Sequence, residues 1–314
     1  MNDAAPDYLT TKELAALLRL SERKVYDLAS GGEVPCTRVV GKLLFPRAEV
    51  MAWIDGNRSG PETVPTPLPG IFAGSHDPLL DWALRESGSG LAAFYDGSHD
   101  GLTRVASRQA MGCGLHIRET DGWNAATVAT QLANIPVVLV EFAKRQRGLI
   151  VAAGNPHGIT GIADLAPISA GPTASTDTTA SARPASLRFA RRQESAASHR
   201  MFADLAREVG IDAAALAGPT QPMRTEGDVA AAIAEGKADV GFGIAASAAQ
   251  MRLDFIPLLT ERYDLLVWRA AWFDPPFQAV LQFLRSADLA ARAAELGGYD
   301  LSDLGRVHFN GDAS

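Results

Sequence analysis

Leu14, Leu17 and Leu18 recur at helical spacing behind Thr10-x-x-Glu13, a pattern in which threonine and glutamate satisfy each other's orphan backbone donors, so a first helix is predicted. Leu20 and Ser21 end it. Ser21 is then the N-cap of a second helix with Val25, Leu28 and Ala29 on its inner face. The few residues between the two match the turn of a helix-turn-helix. After Gly31-Gly-Glu-Val-Pro, the run Thr37-Arg-Val-Val-Gly-Lys-Leu-Leu-Phe predicts two short strands hinged at Gly41-Lys42, a hairpin wing. Pro46 opens a closing helix over Arg47 to Ile54, with Val50, Trp53 and Ile54 inward.

Periodicity then stops. Residues 55–70 hold four prolines and three glycines, which is linker composition, so a first domain is expected over 1–57, a linker over 58–69 and a second domain over 70–314. In the second domain short β runs alternate with helical stretches: Gly70-Ile-Phe-Ala-Gly, Pro78-Leu-Leu-Asp-Trp-Ala-Leu, Gly90-Leu-Ala-Ala-Phe-Tyr, and Leu102 to Ala110. That alternation predicts an α/β domain with a largely parallel sheet, whose ligands sit beyond the carboxyl ends of strands. A local repeat falls there. Gly74-Ser-His-Asp follows the first strand and Gly97-Ser-His-Asp the second, so Ser75 and Ser98 each offer a hydroxyl and nearby N–H groups at a helix start, chemistry suited to an anion. Ordinary helix caps are the plain alternative. A metal or phosphohydrolase role for the two His-Asp pairs is the third, although no further carboxylate or histidine cluster supports it.

Composition narrows the class. With 47% hydrophobic and 21% charged residues and no apolar run near the ~20 residues of a membrane span, a soluble globular chain is expected. The N-terminus has neither the basic start nor the apolar stretch of a secretory signal, so a cytoplasmic location is expected. Cys36 and Cys113 stand too far apart in sequence for a zinc or redox motif, and neither metal nor cofactor is expected. The net charge of −7 argues against a nucleic-acid binder until it is divided: residues 1–60 carry eight basic and eight acidic groups, and the remainder carries the excess acid. A neutral module makes few phosphate contacts, so a homodimer on DNA is expected. No nucleophile with its base, and no carboxylate pair, stands out as an enzyme's would.

Residues 8–54, read in order as T-x-x-E-L-A-x-L-L-x-L-S-x-R-x-V-Y, a wing, then F-P-R-x-E-V-x-x-W-I, resemble the excisionase-like, MerR-related DNA-binding module, a winged helix-turn-helix. The resemblance implies a second helix in the major groove, with Ser21, Arg23, Lys24 and Tyr26 as DNA contacts, and phosphate contacts from Arg38, Lys42 and Arg47. A module that docks a protein instead is the alternative.

The order Gly74-Ser-His-Asp-Pro-Leu-Leu, Gly97-Ser-x-x-Gly-Leu, Gly112-Cys-Gly-Leu-His, Pro136-Val-Val-Leu-Val, Gly148-Leu-Ile-Val-Ala-Ala-Gly-Asn-Pro, Gly236-Lys-Ala-Asp-Val-Gly-Phe-Gly-Ile and Glu261-Arg-Tyr-Asp-Leu resembles the periplasmic-binding-protein-like domain of bacterial regulators, related to molybdate-binding proteins. It implies two α/β lobes closing on a cleft, the second beginning near Leu149 and the chain returning near Phe255. By position in that family, His116 and Tyr263 face the cleft, Tyr263 closing it. Where the family has Asn-Arg-Gln and Gly-Ser-Gly-Thr-Arg at a helix start, this chain has Arg191-Arg-Gln-Glu-Ser-Ala-Ala-Ser-His-Arg: Arg192, Gln193, Ser195 and Arg200 align, Ser198 keeps a hydroxyl near the turn so that Ser195 and Ser198 are candidate ligand contacts, and Glu194 adds a carboxylate that either repels an oxyanion or selects a ligand with donors. The preceding Gly171–Ser186 run reads as a surface loop. The ligand implied is molybdate or tungstate, with another small anion or a pterin-like molecule open. The whole reads as a ligand-responsive transcriptional regulator.

Overall fold

Thr10 and Glu13 do cap each other: the Thr10 hydroxyl accepts from the Glu13 N–H at 3.3 Å, and the Glu13 carboxylate from the Thr10 N–H at 2.7 Å. This geometry comes from a computed structural model that describes residues 8–57, 67–167 and 184–311. Most of the expected linker and of the Gly171–Ser186 loop lies outside those residues. The chain divides into two units, Met1–Pro67 and Leu68–Ser314.

In the first unit β1 (Tyr8–Thr10) leads into α1 (Thr11–Leu18), α2 (Glu22–Ser30), β2 (Thr37–Val39), β3 (Lys42–Pro46) and α3 (Arg47–Gly56). Leu9, Leu14, Val25, Val34, Phe45 and Val50 form its core. α1 stops where Arg19 turns left-handed, and the Ser21 hydroxyl accepts from the Lys24 N–H to start α2. The antiparallel sheet runs β1-β3-β2, so Tyr8 to Thr10 adds a third strand to the wing. The hairpin turns at Val40-Gly41, one residue before the expected hinge. Both residues have positive φ, 48° and 78°, which matches the right-handed twist of the strands they join.

The second unit begins with β4 (Ile71–Gly74), α4 (Pro78–Glu86), β5 (Ala92–Phe94), α5 (Ser98–Ala106) and β6 (Gly112–Leu115). A small hairpin, β7 (Arg118–Glu119) and β8 (Gly122–Trp123), and α6 (Ala125–Gln131) precede the 15-residue strand β9 (Val137–Val151). β10 (Phe189–Ala190), α7 (Ala197–Glu208), α8 (Glu226–Ala234), β11 (Val240–Ile244) and α9 (Ala245–Gln250) follow. The chain returns along β12 (Asp254–Trp268) and ends in α10 (Arg269–Trp272), α11 (Pro275–Leu284), α12 (Ala287–Leu296), β13 (Tyr299–Asp300) and β14 (Val307–Asn310).

The sheet order is β10-β11-β9-β12-β6-β4-β5. It is mixed, not largely parallel: β4 is parallel to β5 and β6, and β10 to β11, but β9 and β12 are antiparallel. The reason is topological, since a chain that leaves one lobe and returns must cross in opposite directions. Each lobe has its own core. Phe72, Leu79, Leu102, Val105 and Leu139 belong to the first lobe's, which α11 and α12 also cover. In the second lobe, Leu149 and Val151 face one core and Ile150 the other, the alternation of a strand buried on both sides. Between lobes, β12 slips register at Pro257/Leu259 opposite Gly148 and Arg147. A Cβ on Gly148 would lie 1.9 Å from the Ile256 carbonyl oxygen, so the crossing strands approach closely only because that residue is glycine.

Candidate functional site

Three glycines bring the strand ends of the first lobe together. A Cβ on Gly101 would sit 2.6 Å from the Gly74 Cα, one on Gly74 2.3 Å from the Gly114 carbonyl oxygen, and one on Gly114 1.8 Å from the Tyr263 hydroxyl oxygen. α5 is thereby pressed against β4 and β6. The buried Ser75 and Ser98 hydroxyls meet at 2.8 Å, and Ser98 Oγ accepts from the His116 N–H at 3.2 Å. Across from them the second lobe presents Arg192, Gln193, Ala197, Ser198 and Arg224, and the two sides enclose a cavity of about 30 Å³. Among the described residues neither α5 nor α7 has a side-chain cap, and their first turns follow Gly97 and Ala196, which line it. Hydroxyls and helix N-termini from both lobes meet there, an arrangement that binds oxygen acceptors.

Ser75, His116 and Ser198 therefore share one cavity, with Ser98 buried behind Ser75 and outside the lining, but two expected residues lie elsewhere. Ser195 is exposed and outside the lining, because the helix begins at Ala197 with Ala196 as its cap residue and the Glu194-Ser195 turn points outward. Glu194 borders a separate open depression of about 690 Å³ with Arg191 and His199, so its carboxylate is not placed to repel a cleft ligand. Tyr263 does not close the site. It is fully buried on a central strand beneath the turns, where its hydroxyl donates to the Ser75 carbonyl and its ring stacks on His116 at 6.2 Å.

Below the cavity runs a chain of buried charges. Arg145 donates to Asp77 at 2.8 Å and also to Glu261; Arg147 donates to Glu261 at 2.8 Å and to Glu226 at 2.7 Å. Arg147 Nε lies 2.7 Å from the second Glu261 oxygen, near enough to pair electrostatically although not aligned for a hydrogen bond. The ends are anchored: Asp77 caps α4 by accepting from Leu80 N–H at 2.7 Å, and Glu226, at the start of α8, accepts from Ile244 N–H at 3.1 Å. Burial pushes the Glu261 carboxyl up, yet Arg145 and Arg147 override it and hold the group well below the usual range. Burial lowers His116 against the opposing pull of Glu261, so at neutral pH the imidazole is uncharged. Their 3.2 Å contact is then a hydrogen bond with Nδ1–H donating, and Nε2 is left an acceptor.

The five ion-chain residues, Arg224 and Asp96 are not among the residues the sequence points to for the site, and Arg192 aligns with the family motif without being named there as a ligand contact. A signal existed: Glu141-Phe-Ala-Lys-Arg-Gln-Arg interrupts an otherwise apolar strand, with Arg145 and Arg147 two apart on one face. A second cluster, Glu141, Asp264 and His308, has the ligand types for a metal. Burial raises Asp264 to about 6. Arg262 lies 3.0 Å from Asp264 and Lys144 3.7 Å from Glu141, so the negative charge already has cationic partners and we assign no ion there.

In the first unit Ser21, Arg23, Lys24 and Tyr26 are exposed on or beside α2, Arg38 and Lys42 are exposed on the wing, and Arg47 is half-buried at the start of α3. Ser21 also spends its hydroxyl on capping α2. Among the described residues no helix is long and apolar enough to cross a membrane.

A family described as a helix-turn-helix domain matches residues 8–58, and one described as the PBP superfamily domain matches residues 82–285. The chain is 25% identical over 316 residues to the uncharacterized protein YvgK of Bacillus subtilis, covering 95% of this chain and 96% of that one. Among solved structures it is similar to an ABC-type phosphate transport receptor from Vibrio cholerae, at 14% identity, 73% and 98% coverage of the two chains and a TM-score of 0.45. It is also similar to a peroxide-bound mutant of Corynebacterium glutamicum OxyR, at 12% identity, 91% and 89% coverage and a TM-score of 0.46.

Proposed function

The chain belongs to the PBP superfamily and carries an N-terminal helix-turn-helix domain, and from this we propose a ligand-responsive transcriptional regulator in which residues 8–54 bind operator DNA and the interlobe cleft senses a small anion. The observation that carries the reading is the meeting of Ser75, held from behind by Ser98, with Ser198 and the starts of α5 and α7 at one cavity, on a chain with a helix-turn-helix. Molybdate and tungstate, the ions implied by resemblance, fit such donors, while a cavity of about 30 Å³ has room for an ion of a few atoms and shuts out a pterin-like ring unless the lobes open. The protein acts in the cytoplasm, where its DNA is, and as a homodimer, because one neutral module supplies too few phosphate contacts. Neither matched family is described as an enzyme.

Ser98→Ala removes the buried hydroxyl that bonds the cavity-lining Ser75 Oγ and accepts from the His116 N–H, and is expected to weaken the binding of whichever oxyanion binds by roughly 5- to 30-fold, about 1–2 kcal/mol, in calorimetry. Equal affinity in the variant would move the ligand elsewhere.

Operator binding is expected to fall at least about tenfold when Arg23→Ala and Lys24→Ala are combined, with the fold intact, because both side chains are exposed and stabilise little. Titration of upstream DNA at two salt concentrations checks this. Unchanged affinity at both would take α2 off the DNA and favour a protein-docking role for the module.

A further inference from the structure

His116 stands where the cleft meets the buried charges beneath it. It lines the cavity yet is buried, its backbone N–H donating to Ser98 Oγ and its ring stacked on Tyr263. Nδ1–H is given to Glu261, and Nε2 has no hydrogen-bond partner among the described residues. In the neutral ring Nε2 only accepts. That is a mismatch for the small anion this cleft is read as binding, on which reading the inference rests, because an anion also presents acceptors. A proton on Nε2 removes the conflict, since an imidazolium donates on both sides, to the anion through Nε2 and to Glu261 through Nδ1.

The groups around the ring decide when that proton is held. Burial opposes it most, Glu261 favours it, and the Arg147 and Arg145 guanidinia oppose it. From the other walls Arg192 and Arg224 add positive charge, while Asp96 has Arg104 3.6 Å away and both Glu226 oxygens are taken, by Arg147 and the Ile244 N–H. His76 lines the cavity too, but its ring meets Tyr95 edge-on and has no acid partner among the described residues. Negative charge arriving beside Nε2 tips the balance, because an opposite charge within ~4–6 Å favours the charged form by about ten- to a thousandfold. We propose that the cleft takes up a proton together with its anion, His116 Nε2 receiving it from solvent as the anion enters. By linkage each ligand tightens the other. Anion affinity is therefore highest in acid, where the ring is charged beforehand, and declines as the pH rises through the range in which only the complex holds the proton.

Calorimetry on the intact chain at about pH 6.5, in two buffers of unlike ionisation enthalpy, counts the protons directly. The probes are sulfate and molybdate, neither of which titrates there, and inorganic phosphate with its own proton change subtracted. Wild type is expected to take up about 0.3 proton or more per anion, and its corrected affinity to fall by about tenfold from about pH 6 to about pH 8. His116→Gln, whose amide still donates to Glu261, is expected to take up none and to lose the pH dependence, and His116→Asn serves if that variant does not fold. His76→Gln is expected to keep the wild-type proton count. Binding heats that are equal in the two buffers for wild type, or a proton count that survives loss of the His116 imidazole, overturn the inference. If an ion binds without proton uptake and Ser98→Ala weakens it, the cleft reading survives that failure. If none of the three ions binds, or Ser98→Ala is indifferent, the cleft reading falls and the inference with it.

Discussion

Glu261→Gln is expected to lower the thermal midpoint of the second unit by on the order of 10 °C, corresponding to about 3–5 kcal/mol. Glu261 is fully buried between two fully buried arginines, and the amide that replaces it keeps the shape but removes the charge that both are paired with. Arg145 keeps Asp77 and Arg147 keeps Glu226, so the loss is that of a central link and not of the whole chain. The effect also has a pH signature. Because the folded carboxyl lies well below its ordinary value, its stabilisation is fully present above the usual glutamate range and disappears as the pH falls through the lowered value. Thermal melts of wild type and variant are therefore expected to stay apart from about pH 5 to 8 and converge in stronger acid. A constant gap across the acid range would mean that Glu261 acts by packing alone.

Gly114→Ala is expected to cost about 3 kcal/mol or more and to weaken ligand binding as well. The added methyl would lie 1.8 Å from the Tyr263 hydroxyl oxygen and 2.5 Å from Cζ. Tyr263 cannot swing clear, since His116, Phe142 and the Arg145 guanidinium surround its ring. Overpacking a rigid core costs about 1–3 kcal/mol, and the displaced tyrosine loses its hydrogen bond to the Ser75 carbonyl, about 1 kcal/mol more. Adding Tyr263→Phe to the alanine variant removes the nearest clashing atom and is expected to restore part of the stability. Chemical denaturation of both variants measures this; an alanine variant with the wild-type midpoint would mean that the turns tolerate being moved apart.

What was legible in the sequence is what is decided within a few residues. The Thr10–Glu13 box and the Ser21 cap join groups three apart, and both form. The two Gly-Ser-His-Asp segments look alike yet differ structurally. Pro78 favours a helix start just after Asp77, which becomes a cap, whereas the second helix begins at Ser98 and Asp100 lies inside its first turn, bonded to Arg104. Ser195 differs from Ser198 for a related reason: it precedes the cap residue Ala196 and is exposed, whereas Ser198 lies in the first turn of α7 and is buried. The ion chain joins residues 68 to 116 positions apart, and such pairings are set by strand crossing and not by local spacing. The same holds for Tyr263, whose place beneath the site follows from the position of β12 at the centre of the sheet.

The claim that the cleft reports to DNA is tested most directly by fluorescence anisotropy of the intact chain on DNA from upstream of its own gene, with and without saturating phosphate, sulfate or molybdate. An ion that binds the cleft is expected to shift the apparent affinity for DNA by about fivefold or more, about 1 kcal/mol of coupling, in wild type, and Ser98→Ala is expected to need correspondingly more of that ion. Superimposable DNA-binding curves at every ion concentration, for an ion that calorimetry shows to be bound, would contradict a ligand-responsive regulator.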